Sequence, residues 1–137
     1  YGIKTAFCSN SFAAYRRKAL EDIGGFPATS FGEDTLAVAK MLKKEWKAAY
    51  CSDATVIHSH HHSFQQEYRR YHSVGGMHSN ESWFVQEFGK PEGEGKRFVA
   101  SEMKYLLHHN PFLIPSACVC NAIKYFAYRK GMKATAR

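Results

Sequence analysis

The sequence predicts an α/β fold in which a few short strands precede a series of helices. Three stretches of the 137 residues carry that expectation. Ala54-Thr55-Val56-Ile57 is a short apolar, β-branched run of the kind that suits a pleated, half-buried surface. Gly24-Gly25-Phe26-Pro27 is a tight turn, and after it Glu33 opens a segment in which Leu36, Ala39, Leu42 and then Trp46 recur at helical spacing. From Phe64 onward the apolar spacing is again helical, interrupted by glycine and proline.

In chain order, Ile3 to Cys8 reads as a strand, Asn10-Ser11 as a turn, and Phe12 to Tyr15 as extended chain. Arg16 to Ile23 then forms a short helix that Gly24-Gly25 ends, because glycine reaches conformations that a Cβ forbids; Pro27 fixes its own φ. The next helix carries Glu33, Asp34 and Thr35 in its first turn. Acidic residues there complement the helix dipole and cap free N–H groups, which is by itself a sufficient reason for them. Ala48 to Cys51 and Ala54 to His58 read as two strands separated by Ser52-Asp53. The second delivers His58 at its C-terminal end, the edge where open α/β sheets place ligands. After Ser59-His60-His61-His62-Ser63, a helical pattern runs from Phe64 toward Phe84 with a break or kink expected at Gly75-Gly76. Gln86 to Arg97, with Gly89, Pro91, Gly93 and Gly95, reads as a flexible loop. Helices over Phe98 to His109 and Phe112 to Lys130 follow, joined at Asn110-Pro111. Their expected packing stripes are Val99, Met103 and Leu106 in the first and Ile114, Cys118, Ala122 and Phe126 in the second. The organisation is thus residues 1–85, a loop over 86–97, and a helical extension over 98–137.

An apolar fraction of 45% and an aromatic fraction of 15% exclude a disordered chain. The chain begins with Tyr1 rather than methionine and runs straight into strand-like sequence, which reads as a fragment of a longer protein. No stretch has the form of a signal peptide. The longest apolar run, Phe112 to Tyr128, is broken by Pro115, Ser116, Asn121 and Lys124 and is too short to span a bilayer. The net charge of +7 is unevenly placed: all 12 acidic residues lie at or before Glu102, whereas Lys104, Lys124, Arg129, Lys130, Lys133 and Arg137 follow it. With Tyr125, Phe126 and Tyr128, this basic end suits an anionic membrane surface or nucleic acid. Cys8, Cys51, Cys118 and Cys120 show no CxxC spacing, which fits a reduced, intracellular setting.

Five blocks stand in register: Asn10 to Arg17, "GGFP" at 24–27, "GEDT" at 32–35, "DATVIHSH" at 53–60 and "QQEYRRY" at 65–71. In order and spacing they resemble the second half of the catalytic domain of family 2 glycosyltransferases, closest to bacterial rhamnosyltransferase-like members. The resemblance implies a partial GT-A fold, the acceptor-side half of the nucleotide-diphospho-sugar transferase domain, followed by C-terminal helices. It implies inverting transfer of a sugar, such as rhamnose from dTDP-rhamnose, to a glycan or lipid-linked acceptor in surface polysaccharide assembly. Inversion needs a base for the acceptor hydroxyl; the resemblance assigns that role to Asp34, with Glu33 beside it. It places Asn10 on the sugar-binding side of the cleft, and Gln66, Arg69 and Arg70 against acceptor and diphosphate, which arginine neutralises bidentately. Where relatives carry Gln-x-x-Arg-Trp, however, Arg70 stands in place of the tryptophan. It also implies a divalent metal, Mn2+ or Mg2+, held mainly by a "DxD" motif that this chain lacks and completed by His58, with His60 on the same side of an extended chain and His61 and His62 as neighbours.

Those missing parts lead to the expectation that the fragment alone is inactive. Unpaired strand edges would further favour a homodimer or an exchange of elements between copies. The setting implied is cytoplasmic, at the inner face of the cytoplasmic membrane. Two other classes compete. One is a metal-binding module on His58 to His62, with Cys51; against it, structural zinc sites draw paired ligands from two segments and no second pair is evident. The other is a basic domain for membrane or nucleic acid; nucleic acid is not expected, because no recognisable module interleaves aromatic and basic residues here.

Overall fold

The structure, a computed structural model, describes residues 2–134. A 3-10 turn, Gly2–Ala6, is followed by α1 (Arg17–Asp22), α2 (Glu33–Lys43), α3 (Phe64–Asn80), α4 (Ser82–Phe88), α5 (Glu92–His109), a second 3-10 turn at Pro111–Leu113, and α6 (Ile114–Ala134). Among the described residues there is no strand, so the expected α/β fold, and with it the partial GT-A sheet, is corrected to an all-helical one. Two of the three expected strands, Ala48 to Cys51 and Ala54 to His58, are irregular, and Ile3 to Cys8 is largely a 3-10 turn. The reason is physical. A strand exists by exchanging N–H and C=O bonds with a neighbour, and none of these segments has one. Ile57 is 100% and Tyr50 94% exposed, so the apolar side chains of the two later segments cover no core here, whereas Ala6 of the first is fully buried.

The described residues divide into two compact units. One comprises the chain up to His61 together with Trp83–Gly89; the other comprises His62–Ser82 and the chain from Lys90 onward. In the first unit the glycine turn forms as the sequence requires. Gly24 and Gly25 sit at φ +81° and +86°, and Gly25 N–H donates to the Leu20 carbonyl at 2.8 Å, closing α1. Gly32, at φ +75°, turns the chain into α2. That helix is the core of the unit: Leu36, Ala37 and Ala39 are fully buried, with Val38 and Met41 nearly so. Phe84 of α4 is also fully buried, and Lys43 joins α2 to α4 by an ion pair to Glu87 at 2.9 Å and by lying 5.1 Å over the Trp83 ring. Trp46 lies beyond the end of α2, where its indole N–H donates to the Asp22 carboxylate at 3.0 Å.

In the second unit, α3 opens with a reciprocal capping box. Ser63 Oγ accepts from Gln66 N–H at 3.3 Å, and Gln66 Oε1 accepts from Ser63 N–H at 2.8 Å. The helix then runs without a break through Gly75-Gly76, contrary to the expected kink, and ends at Asn80. Gly75 is needed for approach rather than for turning. A Cβ on Gly75 would run into the Tyr128 carbonyl oxygen, and one on Gly131 into that of His72, so α3 and α6 cross backbone against backbone. The face of α6 turned inward is therefore the small-residue one, with Ala127 and Gly131 buried. The expected stripe lies elsewhere: Cys118, Ala122 and Phe126 are exposed. The glycines Gly93 and Gly95 fall within α5, so the segment expected as a loop over 86–97 contributes the end of α4 and the start of α5.

Candidate functional site

In the first unit, residues 8–15 fold over the N-terminus of α2 and meet the acidic pair. Asn10 donates its backbone N–H to Asp34 Oδ2 at 3.0 Å and its side-chain Nδ2 to Glu33 Oε1 at 3.3 Å. Asp34 Oδ1 accepts the Thr35 N–H at 2.7 Å, so each carboxylate oxygen of Asp34 is held by one backbone donor. A carboxylate has about four acceptor sites. Lone pairs therefore remain for a further donor, such as an incoming hydroxyl.

Asn10 is itself positioned. The Tyr15 hydroxyl donates to Asn10 Oδ1 at 2.9 Å, and the Tyr15 ring packs edge-on against Phe26 with centroids 5.2 Å apart. The Cys8 thiol lies 3.2 Å from the same hydroxyl, a pair in which either atom can donate. Burial pushes the Tyr15 phenol well above its usual range, helped by the Cys8 hydrogen bond and by the charges of Asp34 and Glu33. A neutral Tyr15 is a fixed donor, and it keeps the Asn10 amide turned so that its N–H group faces Glu33.

On the other side of Asn10, Ser11 Oγ lies 3.0 Å from His58 Nε2 and accepts from Ser9 Oγ at 3.0 Å. His58 and His60 meet edge to face with centroids 4.3 Å apart, as expected of alternate residues in extended chain. The structure thus gathers Asn10, Glu33, Asp34, His58 and His60 around one short turn. The pair of histidines does not make a metal centre by itself: among the described residues no three His, Cys, Asp or Glu side chains are grouped to hold an ion.

The remaining predicted residues are on α3, in the second unit. Gln66 spends its side-chain oxygen on the capping box. Arg69 lines a shallow depression with Tyr68, His72, Ser73 and Lys130, and Arg70 is exposed. Sequence reasoning missed Tyr15, Ser11 and Cys8 as members of the constellation. Ser11 and Tyr15 stand in the first of the five blocks, but no spacing marks either as a partner of Asn10.

Comparison with known proteins bears on this arrangement. The chain is 46% identical over 131 residues to the O-antigen chain rhamnosyltransferase WbaN of Salmonella anatum, a match that covers 95% of this chain and 42% of that protein. It is 45% identical, with the same coverage, to the O-antigen chain rhamnosyltransferase RfbN of Salmonella typhimurium. Over nearly its whole length, the chain is a homologue of proteins named rhamnosyltransferases. The family resemblance read from the five blocks is therefore borne out. A shorter match, 46% identical over 46 residues, joins it to the cellulose synthase 1 catalytic subunit [UDP-forming] of Komagataeibacter xylinus, covering 34% of this chain and 6% of that one. The chain spans about two-fifths of the length of the rhamnosyltransferases it matches. No family model and no solved structure matches it.

Proposed function

We propose that this chain is part of a glycosyltransferase that moves rhamnose from a nucleotide-diphosphate donor, such as dTDP-rhamnose, onto a glycan or lipid-linked acceptor in O-antigen-type polysaccharide synthesis, and that it supplies the base. The observation that carries the mechanism is the double hold of Asn10 on Glu33 and Asp34, at 3.3 and 3.0 Å, in a chain homologous to proteins named rhamnosyltransferases. Asp34 takes the proton of the acceptor hydroxyl as that oxygen bonds to the anomeric carbon, and the bond from the anomeric carbon to the diphosphate oxygen breaks on the opposite side. Backbone donors fix both Asp34 oxygens, so the base is oriented before the acceptor arrives, and orientation accounts for much of such an advantage. Glu33, steadied by the Asn10 amide, accepts a second hydroxyl of the acceptor sugar. Arg69 and Arg70 offer positive charge to phosphate groups. A divalent ion, Mn2+ or Mg2+, would supply positive charge to the leaving diphosphate; His58 and His60 would be this chain's contribution to holding it, with further ligands needed from outside the chain.

The test uses the full-length protein. Asp34→Asn keeps the shape but only one of the two backbone contacts, because its amide nitrogen cannot accept the other N–H, and it cannot take a proton, so turnover of dTDP-rhamnose with an acceptor mixture should fall about 10²- to 10⁴-fold. Donor binding, measured by calorimetry, should change little. Turnover close to that of the parent would remove Asp34 from the role of base, and turnover of a different nucleotide sugar alone would replace the donor.

A further inference from the structure

The outer face of α6 belongs to no interaction yet described. The helix contains no aspartate or glutamate over its whole length, Ile114–Ala134. Its inner face is settled: Ala127 and Gly131 are buried against α3, Lys124 pairs with Glu67 at 3.9 Å and lies 5.5 Å over the Tyr71 ring, and Tyr128 bonds to His78 at 3.1 Å. Lys124 and Tyr128 therefore leave the basic, aromatic surface to which the sequence assigned them, and Arg137 lies outside the described residues. What remains outside is sorted along the axis. Val119, Ala122 and Phe126, three and four residues apart, form one exposed stripe with Arg129, Lys130 and Lys133 continuing it. Phe126 is 67% exposed, Tyr125 beside it 57%, and Phe112 in the turn before α6 92%.

We infer that this face docks on the surface of an anionic phospholipid bilayer. Charge complementarity selects the partner: of the four cations on a helix with no carboxylate of its own, Arg129, Lys130 and Lys133 are exposed, the Glu102 carboxylate of α5 is taken up by Asn121 at 2.7 Å, and Lys130 shares its depression with Arg69 of α3, which extends the positive field sideways. The sorting of aromatic from basic residues selects the mode. Aromatic rings settle at the boundary of headgroups and acyl chains while lysine and arginine reach the phosphates. A strand of nucleic acid, by contrast, is held by rings interleaved with cations. No helix among the described residues is long and apolar enough to cross a membrane, so contact is lateral. The binding is read without any turnover, so it stands or falls separately from the sugar-transfer proposal.

The experiment is vesicle co-sedimentation of the full-length protein, with phosphatidylcholine vesicles and with vesicles containing phosphatidylglycerol. The parent protein should sediment with the anionic vesicles only and be largely released by high salt. Each basic residue near an anionic surface contributes about 1 kcal/mol, so Arg129→Gln/Lys130→Gln/Lys133→Gln should weaken partitioning roughly 100-fold. Tyr125→Ser/Phe126→Ser should remove the salt-resistant remainder, with helix content checked by circular dichroism in both variants. Equal sedimentation with neutral vesicles, or an undiminished partition of the triple variant, overturns the inference. So does transfer of the same residue dependence to nucleic-acid retention or to self-association in light scattering, because the face would then belong to that occupant.

Discussion

Replacing Gly131 by alanine should destabilise the protein, although alanine is the better helix former. A Cβ built at Gly131 lies 2.9 Å from the His72 carbonyl carbon, 3.0 Å from the Gly76 nitrogen, and closer still to the His72 oxygen. Comfortable separations between such atoms are about 3.5–4.0 Å. All three are backbone atoms of α3, so no rotamer change relieves the clash, and the two helices must part by roughly an ångström. Overpacking of this kind costs about 1–3 kcal/mol, and separating the helices also loses packing around Ala127 and Met77, which are buried at 0% and 6% exposure. Against that stands a helix-propensity gain of about 0.5–1 kcal/mol. The expected net loss is about 2 kcal/mol, read as a lower midpoint in urea unfolding followed by circular dichroism. The control is Gly95→Ala in α5, where nothing lies within 4 Å of the added carbon, so the same substitution should be neutral or stabilising by up to about 1 kcal/mol. If Gly131→Ala proved as stable as Gly95→Ala, the backbone crossing of α3 and α6 would be wrong.

Ser63→Ala removes the cap that Gln66 reciprocates and should cost about 1 kcal/mol, with faster amide exchange confined to the first turn of α3; unchanged exchange there would deny the capping box. Tyr15→Phe should flatten the alkaline end of the stability profile. The folded-state phenol is raised above its usual 10.0, chiefly by burial, so its contribution is complete below pH 10 and is lost as pH climbs through the folded value. Unfolding midpoints in an alkaline series should converge for the two proteins, and parallel curves would count against the Cys8–Tyr15–Asn10 chain. Trp46→Phe acts at the other end. The Trp46 indole N–H first, and Lys44 second, hold the Asp22 carboxyl below its usual 3.8, so that contribution is present above 3.8 and disappears as pH falls through the lower folded value. The Asp22 side chain is 44% exposed, so solvent screening keeps the effect small, and acid titrations followed by NMR should show the Asp22 carboxyl of the variant moving back toward 3.8.

Local punctuation was the most legible part of the sequence. Gly24-Gly25 had to take positive φ, and Glu33 had to begin a helix, because both follow from the allowed conformations of a few consecutive residues. The strands failed for the opposite reason. Ala54-Thr55-Val56-Ile57 states a preference for a pleated surface, but a sheet needs a second chain segment at hydrogen-bonding distance, and no four-residue composition can say whether one is there. The glycines of α3 and α6 show the same division. Gly75-Gly76 reads as a breaker when only its own helix is considered; the crossing that makes glycine necessary involves Tyr128, about fifty residues later. That crossing also decides which way α6 faces, and so turns the expected packing stripe through Phe126 outward and Lys124 inward. The site behaves like the punctuation on one side and like the sheet on the other. Glu33 and Asp34 announce themselves at a helix start, whereas Tyr15 can be found only after Asn10 is seen to bridge 24 residues to Asp34, because its role is to hold a neighbour that the sequence does not place.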